Sequence, residues 1–441
     1  MLGTDAFGKI PELRRRVLVT LGLLAVYRLG VFVSVPGIDV AKLKAMFQAG
    51  SGSLFGLVNM FSGGALENFS IFTLGIAPYI SVSIIVQLLT PSIPALDALK
   101  KEGEAGKRVL TRYTRIGTIL LALIQGFMIA LGLESQGLTQ TGGLAFQITT
   151  AVTLTSGTAF IMWLGEQITE RGIGNGISII IFAGIVARMP SVFLSTIVLG
   201  RTGSILPSAI FLAFLVCVFT VAVIVFVERS HRKIPVQYPK RMLANGVSQA
   251  QTQFMPLKVN MVGVIPPIFA SALLVIPGYF AGLSENQVVS VVLSYLAPGR
   301  AVYEILFASL IIIFSFFYTS IIFNPEEVAE NLKKNGGFIP TVRPGKSTAE
   351  YLFQVLNRLT VWGAIYIAAI CIIPQVIYMN LGVNDFAYVF GGTAILIVVG
   401  VTLDTAAQIE SYIVTRNYES FLTKAKRGSV LGGRRGRFLQ R

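Results

Sequence analysis

Residues 54–89 read LFGLVNMFSGGALENFSIFTLGIAPYISVSIIVQLL, an apolar stretch that contains five glycine and proline residues. Its first part, Leu54–Phe61, is apolar but too short to cross a lipid bilayer, and the SGG that follows ends it. Its second part, Ile71–Leu89, has the length of a membrane span, yet Gly75 and Pro78 interrupt it. Irregular backbone at membrane depth persists only where protein or a water-filled cavity surrounds it. The stretch therefore predicts a re-entrant segment beside a broken helix.

The rest of the chain has the composition of a membrane protein. Its mean hydropathy is +0.72, and 54% of its 441 residues are hydrophobic whereas only 13% are charged. Ten apolar stretches are predicted to be transmembrane helices, and most of them have the ~20 residues that a bilayer core demands. They are Val17–Val35, Ile71–Leu89, Ile116–Leu133, Leu144–Leu164, Ile177–Leu199, Leu206–Val227, Val262–Phe280, Tyr303–Phe323, Val361–Tyr378 and Ala387–Leu403.

Lys and Arg are distributed unevenly around these stretches. Most of the 36 lie in the two termini and in the even-numbered loops, that is, the second, fourth, sixth and eighth loops counted from the N-terminus. Because basic residues are retained on the cytoplasmic face during insertion, both termini and the basic loops are predicted to be cytoplasmic. This topology accounts for most of the net charge of +15, so the charge is weak evidence for nucleic-acid binding.

Ten spans divide into two sets of five, and an odd number makes the second set cross in the opposite sense. We therefore predict an all-α polytopic membrane protein with ten transmembrane helices in two inverted halves, 1–200 and 201–412, and a basic cytoplasmic tail, 413–441. The second span of each half is interrupted, in the second half by Pro266-Pro267. Paired broken helices in corresponding positions indicate a functional centre between the halves, although ordinary kinks are an alternative.

Two even-numbered loops, 228–261 and 324–360, are longer than the topology requires. Both are basic and contain turn-forming Pro and Gly residues, which favours docking to an acidic protein face or a phosphate backbone. The tail from Lys424 is predicted to be disordered.

No catalytic, metal or cofactor site is expected. The sequence has no phosphate-binding P-loop, and GIGNG at 172–176 is followed by an Ile where a dinucleotide fingerprint needs its third glycine. The single histidine, His231, has no Cys or carboxylate cluster beside it. Few ionisable residues lie within the spans; among them are Arg28 and Arg188, and Asp404 lies at the end of the tenth. This favours a passive conduit over an ion-coupled secondary transporter with an inverted repeat, the main alternative, although backbone carbonyls alone can hold Na⁺.

Isoleucines recur on the interrupted helices. Two pairs four residues apart share a helix face. Spacing alone is typical of ordinary core or lipid-facing positions, but a ring of these stiff, β-branched side chains would form an apolar constriction that excludes water and ions. The residues in question are Ile76, Ile80, Ile177, Ile181, Ile268 and Ile397.

The chain resembles the SecY family of protein-translocation channels nearly end to end. Two of the matching segments are ERGIGNGISIIIFAGIVA, from Glu170, and FNPEEVAENLKKNGGFIPTVRPGKSTAEYL, from Phe323. The full set is Asn59–Pro91, Glu170–Ala187, Met255–Ser271, Phe323–Leu352 and Phe390–Asp404.

The resemblance implies an hourglass channel with a central pore and a lateral gate of spans two and three against spans seven and eight. It places the family's pore ring on the six isoleucines above. Gln87 and Gln125 lie in the gate spans, where polar side chains bond across helices. The plug, a re-entrant helix, falls on about 54–68, with Leu54, Phe55, Leu57, Val58, Asn59, Met60, Phe61, Gly63 and Gly64 as its candidate residues.

The resemblance also implies partners. The long basic loops become docking sites for the SecA motor ATPase or for ribosomal RNA, at Lys240, Arg241, Lys333, Lys334, Arg343, Pro344 and Gly345. The family further implies SecE and SecG as small membrane subunits, signal peptides and nascent chains as passengers, and the bacterial plasma (inner) membrane as the location. Where relatives often have a glycine and two arginines, this chain reads Ala244-Asn245-Gly246, which puts that loop's contact with ribosomal RNA in doubt.

Overall fold

The computed structural model describes residues 11–40, 42–44, 62–139, 142–238, 242–243, 246–247, 252–281, 296 and 300–435. These residues are mostly helical. The helices are α1 (Pro11–Gly30), α2 (Ala77–Leu89), α3 (Pro94–Lys101), α4 (Glu104–Ser135), α5 (Leu144–Arg171), α6 (Gly176–Arg201), α7 (Pro207–Glu228), α8 (Ile265–Ala281), α9 (Ala301–Ile322), α10 (Pro325–Lys334), α11 (Lys346–Asn380), α12 (Asn384–Val389) and α13 (Gly392–Arg435). The strands are β1 (His231–Gln237), β2 (Met242–Leu243), β3 (Gly246–Val247) and β4 (Thr252–Lys258).

Each of the ten predicted spans overlaps a helix. In the described part of the chain, seven helices are long and apolar enough to cross a membrane. An eighth span exists if α2 and α3, which meet at a bend of 98°, are taken together. The apolar part of α8, Ile265–Val275, is shorter than these spans. The chain is a multi-pass membrane protein, and these helices are consistent with ten spans.

Several predicted boundaries are shifted. The first span was expected to reach Val35, but α1 ends at Gly30. The second was expected to begin at Ile71, whereas α2 begins at Ala77, because the residues before it form turns and Gly75 has a left-handed φ of 55°. Helix α13 begins only at Gly392, after the short α12, and runs on through the tail that was predicted to be disordered.

Local sequence explains where several helices start. Helices α2, α3, α7 and α10 each have a proline in the first turn, where a missing N–H costs nothing. Asparagine side chains cap α6 and α10: Asn175 accepts from the N–H groups of Ile177 and Ser178 at the start of α6, and Asn324 caps α10 in the same way.

The two long loops pack against each other instead of projecting separately. Strands β1 and β4 form an antiparallel hairpin, which the all-α prediction missed because prolines interrupt both strands. A two-stranded hairpin tolerates them, since each strand has a free edge. Phe338 of the second loop bridges to Gln237 at the end of β1. The shared apolar core includes Ile234, Val236, Leu257, Ile339, Leu352, Val355 and Leu359.

Interhelical packing holds the irregular backbone before α2. Helix α5 contacts α4, α1 and α6, and it also lies against the segment that precedes α2. A Cβ on Gly157 of α5 would collide with the carbonyl oxygen of Ile71. Only glycine allows so close an approach between this helix and the segment.

We expect Gly157→Ala to destabilise the protein by ~1–3 kcal/mol, because the added carbon overpacks a backbone contact. Gly132→Ala on α4 is the matched control, since nothing lies within 4 Å of a Cβ there; better helix propensity should make that change neutral or favourable by up to ~1 kcal/mol. Thermal unfolding in detergent measures both. Equal stability of the two variants would show that the segment does not need this close contact.

Candidate pore and gate

The six isoleucines belong to one large hydrophobic cluster. Five of them are buried and belong to one continuous hydrophobic cluster, and Ile177, which is half-buried, packs against the same cluster. They come from both predicted halves: Ile76 and Ile80 from the start of α2, Ile177 and Ile181 from α6, Ile268 from α8 and Ile397 from α13. Residues separated by more than 300 positions therefore share one apolar centre.

Helix geometry explains the arrangement within each element. Ile76 and Ile80 are one turn apart, and the backbone N–H of Ile80 donates to the Ile76 carbonyl at 3.1 Å. Ile177 and Ile181 repeat this spacing at the start of α6. Ile268 follows the Pro266-Pro267 pair in the first turn of α8. Each interrupted helix thus presents its isoleucine near the break.

The two halves meet along two seams. On one side α8 contacts α2 and α4; on the other α6 contacts α13 and α12. The first seam is the one expected for a lateral gate. Helix α9, which was expected to be part of it, packs mainly on α8 and α11.

A cavity of about 30 Å³ lies in the first seam, between α2, α4 and α8. This volume is large enough for a water molecule. Its lining combines members of the isoleucine set with polar side chains, namely Ser81 of α2, Gln125 of α4 and Ser271 of α8. The seam is therefore apolar with a small polar centre.

The two candidate gate glutamines behave differently. Gln125 is only 5% exposed, and its Oε1 atom has no hydrogen-bond partner within the described chain. Gln87 is half-buried, and its Nε2 donates to Ser83 Oγ of the same helix at 3.1 Å rather than across the seam. The sequence reading missed Ser81 and Ser271, although Ser271 lies three residues after Ile268 and so shares its helix face.

The candidate plug is described only at its C-terminal end. Leu54, Phe55, Leu57, Val58, Asn59, Met60 and Phe61 lie outside the described residues. Gly63 and Gly64 have φ values of 65° and 90°, and residues 62–68 form turns, as expected where SGG ends the apolar segment. Ser62, next to them, also lines the seam cavity.

Hydrogen bonds satisfy the backbone of this segment. The Tyr27 hydroxyl of α1 donates to the Ser62 carbonyl at 3.2 Å. Val35 N–H donates to the Phe69 carbonyl, and Ile71 N–H donates to the Val33 carbonyl, each at 2.9 Å. These internal partners replace the water that is missing at membrane depth.

The described docking candidates are exposed on the unit formed by the long loops. Lys333 and Lys334 end α10, and Arg343 lies just before α11. Thr348 Oγ1 donates to the Arg343 carbonyl at 2.8 Å, and Gly345 has a φ of 105°, so the Arg343-Pro344-Gly345 turn is fixed while the guanidinium is exposed. Lys240 and Arg241 lie outside the described residues.

Among the described residues, no group of three or more His, Cys, Asp and Glu side chains has the arrangement of a metal site. The chemistry of the centre is thus that of an apolar neck. Helices from both predicted halves that pack around one apolar core, with a small cavity in the seam between α2, α4 and α8, are typical of a polytopic membrane channel.

A model of the SecY family matches residues 70–406. Over 430 residues the chain is 49% identical to the protein translocase subunit SecY of Escherichia coli strain K12, covering 96% of each protein. It is 47% identical to the Pseudomonas aeruginosa subunit of the same name, over 95% of both chains. The chain belongs to the SecY family.

Solved structures agree on the fold. A structure described as a protein conducting channel superposes with a TM-score of 0.67 at 16% identity, covering 90% of this chain and 92% of that one. Sec61 in the canine ribosome–channel complex from the endoplasmic reticulum gives a TM-score of 0.63 at 16% identity, covering 93% and 97%.

Proposed function

We propose that this chain passes unfolded secretory polypeptides across the bacterial plasma membrane and releases membrane-protein helices sideways into it. It is a protein-conducting channel subunit and not an enzyme. The observation that carries the proposal is that Ile76, Ile80 and Ile268, from both predicted halves, line the cavity between α2, α4 and α8, in the same hydrophobic cluster as Ile177, Ile181 and Ile397. Nothing supports the ion-coupled transporter, because the side chains at the centre are isoleucines rather than carboxylates.

A ring of isoleucines blocks ions at rest and still admits polypeptides of any sequence. Stiff β-branched side chains leave an apolar neck from which water is expelled, so ions are blocked at rest. An isoleucine offers no directional bond. A polypeptide of any sequence therefore slides through without being held at one site.

The gate opens at modest energies. A signal peptide has an apolar core of ~7–15 residues, and each strongly apolar residue contributes ~0.3–0.6 kcal/mol on entering lipid. The total of ~2–9 kcal/mol exceeds the ~0.6–2 kcal/mol that one interhelical hydrogen bond is worth in a membrane, so a signal peptide is able to open a seam whose polar centre is small. Opening between α2 and α8 also exposes the passenger to lipid.

Replacing Ile80, Ile181 and Ile268 together with Gly should widen and hydrate the neck, and resting ion conductance in planar bilayers should rise by about tenfold or more. The reason is that dewetting requires a narrow, fully apolar lining. The same substitutions should leave the assembly of the channel complex and the insertion of this chain into the membrane intact.

The matched control replaces three exposed isoleucines, Ile85, Ile119 and Ile305, which are 49%, 45% and 68% exposed. This control carries the same loss of helix propensity but should stay as tight as the unmodified channel. Equal leak from both sets would contradict a pore lined by the buried isoleucines.

Gln125→Leu should stabilise the closed seam by ~1–2 kcal/mol, because it removes a buried acceptor that has no protein partner. Export of proteins with weakened signal sequences should then fall several-fold. Gln87→Leu is the control and should change export little, since it breaks a bond within one helix. Export that is unaffected by Gln125→Leu across a graded series of signals would remove Gln125 from the gate.

The partners follow from the family and from the exposed basic residues. We propose that both termini are cytoplasmic, that SecE and SecG accompany the channel, and that the unit built from the long loops docks SecA or the ribosome. A structure similar to this chain comes from a ribosome-bound complex, which supports a ribosomal partner. The fixed turn at Arg343 supports a protein contact, because a rigid backbone presents the guanidinium at low entropic cost.

Arg343→Glu should reduce SecA-driven export at least about tenfold, since an interfacial charge is reversed. Arg358→Glu is the control, because Arg358 is also exposed and lies further along α11. Export is measured with inverted membrane vesicles, and the amount of channel in the membrane is checked in parallel. Normal export by the Arg343 variant would show that this turn only connects α10 to α11 and does not bind SecA.

A further inference from the structure

Two arginines within the apolar stretches have no part in the ring or the gate. Arg28 is near the end of α1, and Arg188 is in the middle of α6. A charged side chain at this depth is costly unless it is paired or faces a water-filled cavity. Both arginines contact the same short segment, residues 62–68, which is the described end of the candidate plug.

Helix α1 anchors the start of this segment. Arg28 Nη1 donates to the Gly63 carbonyl at 3.1 Å. The hydroxyl of the neighbouring Tyr27 donates to the Ser62 carbonyl, as described above. Successive residues of α1 therefore bind successive carbonyls of the segment.

Helix α6 anchors the other end through an ion pair. Arg188 Nη2 lies 2.6 Å from Glu67 Oε1, with side chains that are 22% and 38% exposed. A bond this short between ionised groups is a charge-assisted hydrogen bond. It joins the segment to the same helix that supplies Ile177 and Ile181 of the ring.

A close backbone contact with α6 lies at Gly63, the residue whose carbonyl Arg28 binds. A Cβ on Gly63 would lie 2.8 Å from Gly184 Cα of α6, so no larger residue fits there. The segment is thus seated in a defined position between α1 and α6. An ion pair between side chains ties it to α6.

We infer that the Arg188–Glu67 ion pair is a latch that holds the plug segment on α6 in the resting channel, with Arg28 as a second, backbone-directed anchor. The inference rests on the proposed channel function and adds positioning residues to it. For the segment to leave α6, this ion pair must break. A passenger chain that displaces the plug therefore works against one specific bond as well as against apolar packing.

The test is a charge exchange in the purified, reconstituted channel complex. Arg188→Glu and Glu67→Arg each place like charges together, so resting ion conductance should rise by about three- to tenfold, the range for a partly shielded ion pair. The double variant Arg188→Glu/Glu67→Arg restores the pair with reversed polarity and should return to the conductance of the unmodified channel. A role in packing alone would not be rescued in this way.

The matched control is Arg201→Glu, which reverses an exposed charge at the end of the same helix and should leave conductance unchanged. If Arg188→Glu fails to assemble, Glu67→Gln removes the charge with little change of shape and should also raise conductance. Export of a protein with a weakened signal sequence should improve in the same variants, since the plug leaves more readily.

Two results would overturn the latch: single variants that stay as tight as the unmodified channel, or a double variant that leaks as much as either single one. The isoleucine-to-glycine channel serves as the conducting reference in the same bilayers. If that reference also fails to conduct, the pore proposal itself is wrong, and the two failures are thereby distinguished.

Discussion

A backbone that leaves the helical path at membrane depth must find its hydrogen-bond partners within the protein, because lipid supplies none. The segment before α2 meets this constraint through α1 and through residues 33–35. Glycines at positions 63 and 157 allow α6 and α5 to approach the segment closely. The rest of the centre is arranged around this buried irregular segment, since the segment leads directly into Ile76 and Ile80.

The same constraint connects the ring to the seam. Because α2 begins late, its first turn lies beside the first turn of α8, which also begins at a break. Their isoleucines meet at the centre, while Ser81, Gln125 and Ser271 line the small cavity in the seam. We propose that the apolar side chains close the path across the membrane and that the few polar groups adjust the closure between the two halves.

Much of this arrangement follows from the sequence by simple rules. Hydropathy identifies helices such as α7 and α9, and a spacing of four residues places Ile76 with Ile80 on one helix face. Local rules did not bring Ile268 and Ile397 to the same centre, which depended on the resemblance to a known family. The hairpin of β1 and β4 was missed because its strands are short and contain proline.

The contact between Arg188 and Glu67 shows most clearly why sequence patterns are insufficient. Its members are 121 residues apart, and each alone has the pattern of an isolated charge near an apolar stretch. Pairing across such a distance is set by how α6 packs on the segment before α2. Tertiary packing, which no local pattern records, decides it.

The most direct test of the account is site-specific photocrosslinking during translocation. A photoreactive residue is placed at Ile181 in the ring or at Ile85 on the exposed face of α2, and a passenger polypeptide is arrested halfway across. A passenger that runs through the isoleucine ring should be captured from position 181 and not from position 85. Capture from position 85 alone, with an arrested chain still spanning the membrane, would contradict a path through the isoleucine ring.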